Sequence, residues 1–256
     1  IGRFCINRLN YYGVGTEYVK SVAGEFRTSL AIYESCIDNF QNVIYRNGAA
    51  DFEVKPSEMD EVDYSQFTAL ITAGTVFAGQ PSRDATFRAF ENARDQGIPV
   101  IFDIDYRPYS WPSPQVASEV LSRAGEESDM IVGNDEEFGF MAGGTDKGLN
   151  KARDLASAGN RLVIYKMGEK GSITLYNNEE IKTGIFPTDA IKPVGAGDSF
   201  MAGLLSSLAS GYDLKNSVIR GSACASIVVS LPGCAPAMPD EDELNNFINN
   251  SLIKDL

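Results

Sequence analysis

The chain has 256 residues and contains no histidine. That absence excludes Ser-His-Asp triads, Cys-His nucleophiles, HExxH zinc sites and histidine general bases, so any catalysis must run on carboxylates, lysines, hydroxyls, backbone dipoles or a bound metal. A net charge of −13, from 22 Lys plus Arg against 35 Asp plus Glu, argues against general nucleic-acid binding and against attraction to anionic membranes.

The first part reads as β-rich. Residues 28–33 and 42–45 are short β-prone runs, separated by the polar stretch Cys36-Ile37-Asp38-Asn39. That pattern predicts a hairpin or two neighbouring antiparallel strands. From about residue 66 strands and helices alternate. Residues 69–72 form a strand ending at Ala73-Gly74. Residues 85–96 carry Phe87, Phe90 and Arg94 on a helical period, and Gly97 stands where a helix-terminating glycine belongs. A buried strand follows at 100–102 and stops at Asp103. Helices are predicted near 114–123 and 147–158, and apolar strands at 130–132, 162–165 and 172–176. Phe200, Met201, Leu204, Leu205 and Leu208 then form one apolar stripe. The last helix begins after Pro239 with Asp240 as N-cap and Glu243 three residues on, a capping box. Its expected buried face is Leu244, Phe247, Ile248 and Leu252. Strands alternating with helices predict an α/β fold with a largely parallel sheet covered on both faces.

Cys5, Cys36, Cys224 and Cys234 include no CxxC pair and are too sparse for a disulfide scaffold. Free thiols in a reducing, cytoplasmic setting are expected. No apolar run approaches the length of a membrane span.

Ligands in such folds gather at the carboxyl ends of strands. Asp103-Ile104-Asp105-Tyr106-Arg107 follows the 100–102 strand. Arg107 could grip a carboxylate or phosphate, or these charges could simply tie the loop. Gly133-Asn134-Asp135-Glu136-Glu137 follows the 130–132 strand. Asn134 can cap a helix and the acids can favour its first turn; equally, they can hold a hard cation through water. Gly195-Ala196-Gly197-Asp198-Ser199-Phe200 opens the apolar helix. Two glycines and a helix N-terminus make an anion hole, with Asp198 placed beside it as a proton acceptor, unless the run is only a turn before a helix. It is neither a Walker A loop nor the dinucleotide fingerprint, because Phe200 stands where the third glycine belongs. Lys166-Met167-Gly168-Glu169-Lys170-Gly171 is a fourth strand end, readable as a plain turn or as a flat ligand's backbone rest.

Gly-Ala-Gly-Asp-Ser-Phe after an Asn-x-x-Glu strand end and a Gly-Glu-Lys-Gly turn, with Gly233-Cys234-Ala235-Pro236 closing the series, resembles the ribokinase-like (pfkB) carbohydrate kinases. The motifs occur in the family's order and span nearly the whole chain. The resemblance implies a three-layer α/β fold with a mostly parallel central sheet flanked by helices, plus a small β lid at 26–48, all in one domain over 1–256. It implies ATP-dependent phosphorylation of a hydroxyl with Mg²⁺. Asp103 to Trp111 and Tyr45-Arg46-Asn47-Gly48-Ala49-Ala50-Asp51 resemble the kinases of sugar acids, those of 5-dehydro-2-deoxygluconate in inositol catabolism first and of 2-keto-3-deoxygluconate second.

By the same resemblance Asp198 is the base, and Gly195, Ala196 and Gly197 form the anion hole. Asn134 and Glu137 organise Mg²⁺ largely through water. Lys166, Gly168 and Gly171 lie beside ATP. Arg107, Asp105, Arg27 and Arg46 serve the sugar acid. Lids of this kind can form dimer contacts, which allows a homodimer. Lys192-Pro193-Val194 replaces the family's Asp-Thr-Thr, and the lysine argues against a potassium requirement. The family's opening strand, with a substrate-binding aspartate and a Gly-Gly loop carrying an asparagine, would precede Ile1. A nucleotide-binding oxidoreductase and a non-catalytic ligand sensor are the alternatives.

Overall fold

The computed structural model describes residues 1–34, 36–38, 41–159 and 161–254. Asn39, in the polar stretch between the first two strands, lies outside the described residues. The fold is α/β, with a mostly parallel six-stranded sheet and helices. In chain order the elements are α1 (Gly2–Tyr11), β1 (Leu30–Tyr33), β2 (Asn42–Tyr45), α2 (Pro56–Met59), β3 (Leu70–Ala73), α3 (Ser82–Asp95), β4 (Val100–Asp103), α4 (Pro114–Glu126), β5 (Met130–Asn134) and α5 (Asp135–Met141). Then come α6 (Gly148–Gly159), β6 (Leu162–Lys166), β7 (Ser172–Tyr176), β8 (Glu179–Thr183), α7 (Ala196–Ala209), α8 (Leu214–Val229) and α9 (Glu241–Asn250). The large sheet has the order β3-β4-β5-β6-β7-β8, and β1 pairs with β2 separately.

The chain divides into two compact units: Ile1–Ala31, Ile44–Ile131 and Phe140–Gly144 in one, and Ile32–Val43, Val132–Gly139 and Thr145–Leu256 in the other. In the first, β3 and β4 run parallel with Leu70 opposite Val100. The core is an aromatic cluster: Phe77 lies 4.9 Å from Phe87 and 5.9 Å from both Phe90 and Phe102, ring centre to ring centre. Rings at such separations add specific edge contacts to their burial. The buried face of α3 continues through Ala93, not Arg94, which is exposed and reaches the Glu127 carbonyl. Gly97, with φ of +69°, ends the helix as expected.

The β-rich reading rested on residues 28–33 and 42–45, where β1 and β2 form and pair; residues 2–11, for which no element was expected, are helical. The segment has no proline and a single β-branched residue, Ile6, so only Asn7 and Asn10 weigh against a helix in its interior. None of its residues is buried.

In the second unit β6, β7 and β8 form an antiparallel meander, with Val163 opposite Leu175 and Ser172 opposite Thr183. The β7–β8 turn is made by Asn177 and Asn178, both left-handed at φ of +52° and +62°. Asparagine tolerates that region, and two such residues match the twist of a hairpin. Helices α7 and α8 pack together. Buried Arg220 fastens α8 to its neighbours, donating to Ser207 Oγ at 2.9 Å and Asn245 Oδ1 at 2.7 Å while pairing with Glu241. The α9 capping box forms: Glu243 N–H donates to Asp240 Oδ1 at 2.8 Å and Asp240 N–H to Glu243 Oε2 at 3.0 Å. Leu244 joins a core cluster with Phe186, Ala223 and Cys224. The expectation that Leu252 is buried fails: α9 stops at Asn250, Ser251 turns extended, and Leu252 is 89% exposed.

All four cysteines are free thiols. Burial pushes the Cys224 thiol up to about 11, which leaves it inert near neutrality. Among the described residues no helix is long and apolar enough to cross a membrane.

Candidate active site

The second unit contains the glycine run. Gly195 is the residue before α7 and is left-handed, with φ of +90°. A Cβ there would stand 3.1 Å from Val228 Cγ1 and 3.2 Å from Cys234 Sγ, so the position is closed to a side chain on two sides. Ser199 and Asp198 then divide the first turn between them. Ser199 is buried and donates to the Gly195 carbonyl at 2.6 Å, which pins the turn. Asp198 is exposed, and its carboxylate makes no hydrogen bond or ion pair to another described residue. A free carboxylate is thus fixed at the first turn of a helix whose unsatisfied N–H groups carry about half a positive charge.

Lys166, the last residue of β6, adds a second positive group. Its Nζ would lie 3.6 Å from a Cβ on Gly197 and is 5.5 Å from the centre of the Phe200 ring. An ammonium facing a helix N-terminus defines an anion site. The turn after Lys166 is a tight one between antiparallel strands. Met167 N–H donates to the Gly171 carbonyl at 2.8 Å, and Gly168 and Gly171 take φ of +56° and +82°. A side chain on Gly168 would meet nothing within 4 Å, so its flank is open to a flat ligand.

Asn134 and Glu137 form a reciprocal cap at the start of α5. Glu137 N–H donates to Asn134 Oδ1 and Asn134 N–H to Glu137 Oε2, each at 2.8 Å. Both readings of this strand end remain open, because a capping carboxylate keeps acceptor capacity for a hydrated ion. Among the described residues no group of three or more Asp, Glu or Cys side chains could cage a metal directly. The donors present fit a hard cation held through water and a ligand's own oxygens, as Mg²⁺ prefers.

The first unit carries the arginines. Arg107 pairs with Asp105 and donates to the Tyr106 carbonyl at 3.0 Å. Asp105 has φ of +34°, uncommon for a residue with a side chain. The Tyr106 ring stacks on Phe140 at 3.7 Å and 15°. Arg46 is more committed than the sequence implied. It donates to Asp51 Oδ2 at 2.7 Å and to the Thr75 carbonyl at 2.9 Å, and lies over the Phe52 ring at 4.1 Å. Arg27 is exposed, its backbone paired with Gly48 and Ala50. Arg27, Arg46, Thr28, Tyr45 and Asn47 line an open cavity of about 640 Å³. Sequence reasoning missed Asp51 as the partner of Arg46, and Ser199 as the pin of the turn; a serine placed to bond back to the carbonyl four residues earlier was the available sign.

A helix-end anion hole, an exposed carboxylate beside it and a facing ammonium are equipment for phosphoryl transfer. The sequence profile of the pfkB family carbohydrate kinases matches residues 1–241, and the chain belongs to that family: it is a carbohydrate kinase. It is 40% identical over 228 residues to the 5-dehydro-2-deoxygluconokinase of Photobacterium profundum, covering 87% of this chain and 69% of that one. It is 34% identical over 258 aligned positions to the enzyme of the same name from Geobacillus thermodenitrificans, covering 98% and 76%. Two solved structures share the fold. A fructokinase from Xylella fastidiosa with bound ATP superposes with a TM-score of 0.86 at 19% identity, over 97% of this chain and 81% of that one. A fructokinase from Vibrio cholerae with fructose, ADP and calcium gives 0.81 at 24% identity, over 96% and 81%. The fold is therefore ribokinase-like, as the motif order implied. The oxidoreductase and ligand-sensor alternatives are set aside.

Proposed function

We propose that the chain transfers a phosphoryl group from ATP to a hydroxyl of 5-dehydro-2-deoxygluconate, in a cytoplasmic pathway of inositol breakdown. The observation that carries the reading is the free carboxylate of Asp198 on the first turn of α7, the same turn whose Gly197 lies beside the Lys166 ammonium. Asp198 accepts the proton of the attacking hydroxyl. The N–H groups of Gly195 and Gly197 take up charge on the transferred group, joined by that of Ala196 when it leaves its long 3.4 Å bond to the Pro193 carbonyl. Lys166, Gly168 and Gly171 flank the nucleotide. Arg107, oriented by Asp105, recognises the acid of the substrate, and Arg27 and Arg46 belong to a lid over 26–48 that allows a homodimer. Asn134 and Glu137 would hold Mg²⁺ through water; when bound it neutralises phosphate charge. Positioning and charge stabilisation carry such a transfer, so no histidine is needed.

The direct test is ADP release with 5-dehydro-2-deoxygluconate, 2-keto-3-deoxygluconate and fructose. The first is expected to give the highest kcat/KM, with fructose at least about a hundredfold lower, because a site built for a charged group is left unpaired by a neutral sugar. Preference for fructose would overturn the substrate assignment.

The two readings of Glu137 can also be separated. Glutamine serves a capping box as glutamate does, so Glu137→Gln should melt close to the parent. Its loss of charge should raise the Mg²⁺ concentration for half-maximal activity about tenfold or more. An unchanged Mg²⁺ requirement would leave only the cap.

A further inference from the structure

We propose that Lys192 is a positioning residue for phosphoryl transfer: its buried ammonium is a built-in cation that holds the Val194 carbonyl and thereby aims the Gly195 N–H at the anion site. The proposal rests on the kinase reading above.

Lys192 is 0% exposed. Its Nζ donates to the Val228 carbonyl at 2.7 Å and to the Val194 carbonyl at 3.0 Å. Among the described residues no carboxylate lies within ion-pair distance of it. A buried charge is costly unless hydrogen bonds replace its hydration. Here carbonyl dipoles replace it. Val228 is the penultimate residue of α8, where the helix presents its negative end. The lysine backbone is tied to the same helix end: the N–H groups of Ile191 and Lys192 donate to the Val229 carbonyl at 2.8 and 3.3 Å. Cys234 Sγ also approaches the Val194 carbonyl, at 3.7 Å.

The Val194 carbonyl and the Gly195 N–H belong to one peptide unit. A trans peptide is planar, so its C=O and N–H point in opposite directions. Holding the carbonyl toward the α8 end turns the Gly195 N–H away from it. That N–H has no hydrogen-bond partner among the described residues. A cation on the carbonyl also polarises the peptide and strengthens its N–H as a donor. A neutral side chain of the same shape would fill the space and do neither.

The experiment separates charge from packing. The parent protein should turn over equally, within about twofold, in potassium and in tetramethylammonium salts at constant ionic strength, because its cation is covalent; a tenfold potassium requirement would overturn the proposal. Lys192→Met fills the site without charge, and its kcat should fall by about tenfold to a hundredfold, below the loss from deleting an oxyanion donor outright. Lys192→Ala lacks the equivalent of propylammonium. Added propylammonium should restore kcat and raise the melting temperature of that variant, whereas propan-1-ol, of the same shape and neutral, should do neither. Equal rescue by the alcohol, or parental kcat in Lys192→Met, would reduce the lysine to packing. The melting measurement does not depend on turnover. If the parent phosphorylates no sugar acid but propylammonium alone still stabilises Lys192→Ala, the substrate reading fails and the internal cation stands.

Discussion

Asp198→Asn is expected to lower kcat by about a hundredfold or more while leaving nucleotide affinity within about threefold. The two side chains have nearly the same shape, and an amide can still accept a hydrogen bond from the attacking hydroxyl; it cannot take the proton. The fold should tolerate the change, because the carboxylate is exposed and holds no other described residue. Its one structural contribution is a negative charge in the first turn of α7, worth about 0.3–1 kcal/mol against the helix dipole. Removing that charge should weaken the helix slightly and tighten binding of an anion at the same turn. The expected signature is therefore a modest fall in melting temperature, equal or better ATP binding by titration, and a collapse of single-turnover transfer. Turnover within tenfold of the parent would show that another group takes the proton. Uniform loss of binding and turnover would show that the carboxylate holds the turn together.

The candidate site was legible in the sequence where its geometry is local. The Gly-Ala-Gly-Asp-Ser run carries its turn and helix start within five residues, and Asp240 with Glu243 states its own cap. Gly97 marks a helix end by the conformation only glycine adopts freely. What escaped depends on distance along the chain. Arg46 looks like a free substrate ligand until Asp51 and the Thr75 carbonyl take its donors. Lys192 stands out in the sequence only as a replacement for the family's aspartate; its acceptor at the end of α8 lies 36 residues later in the chain. The β7–β8 hairpin is a different omission. Asn177-Asn178 between Tyr176 and Glu179 was a local turn signal, but the charged strand Glu179–Thr183 has too little apolar alternation to announce itself. Leu252 was misplaced because a helical period was extended beyond the residue where the helix ends.

The glycines of the turn offer the second large effect, and they should behave oppositely. Gly195→Ala meets two obstacles. A left-handed backbone disfavours any Cβ by about 1–2 kcal/mol. The added carbon would also sit 3.1 Å from Val228 Cγ1, 3.2 Å from Cys234 Sγ and 3.3 Å from Cys234 Cβ. Relief requires the backbone to rotate, which turns the N–H groups proposed to bind the anion off target. The expected result is a destabilisation of about 1–3 kcal/mol in chemical denaturation, with kcat lowered by about a hundredfold to a thousandfold. Gly197→Ala meets neither obstacle. Its backbone is helical, and its nearest neighbour is the Lys166 Nζ at 3.6 Å, an ordinary contact. Alanine in a helix should gain about 0.5–1 kcal/mol over glycine. Yet its methyl group would project toward the Lys166 ammonium, where the anion is expected, so ATP binding should weaken at least about tenfold while the protein grows more stable. Paired melting curves and nucleotide titrations distinguish the cases. If Gly197→Ala binds ATP as the parent does, the anion site does not lie between Lys166 and the α7 N-terminus, and the assignment of both falls.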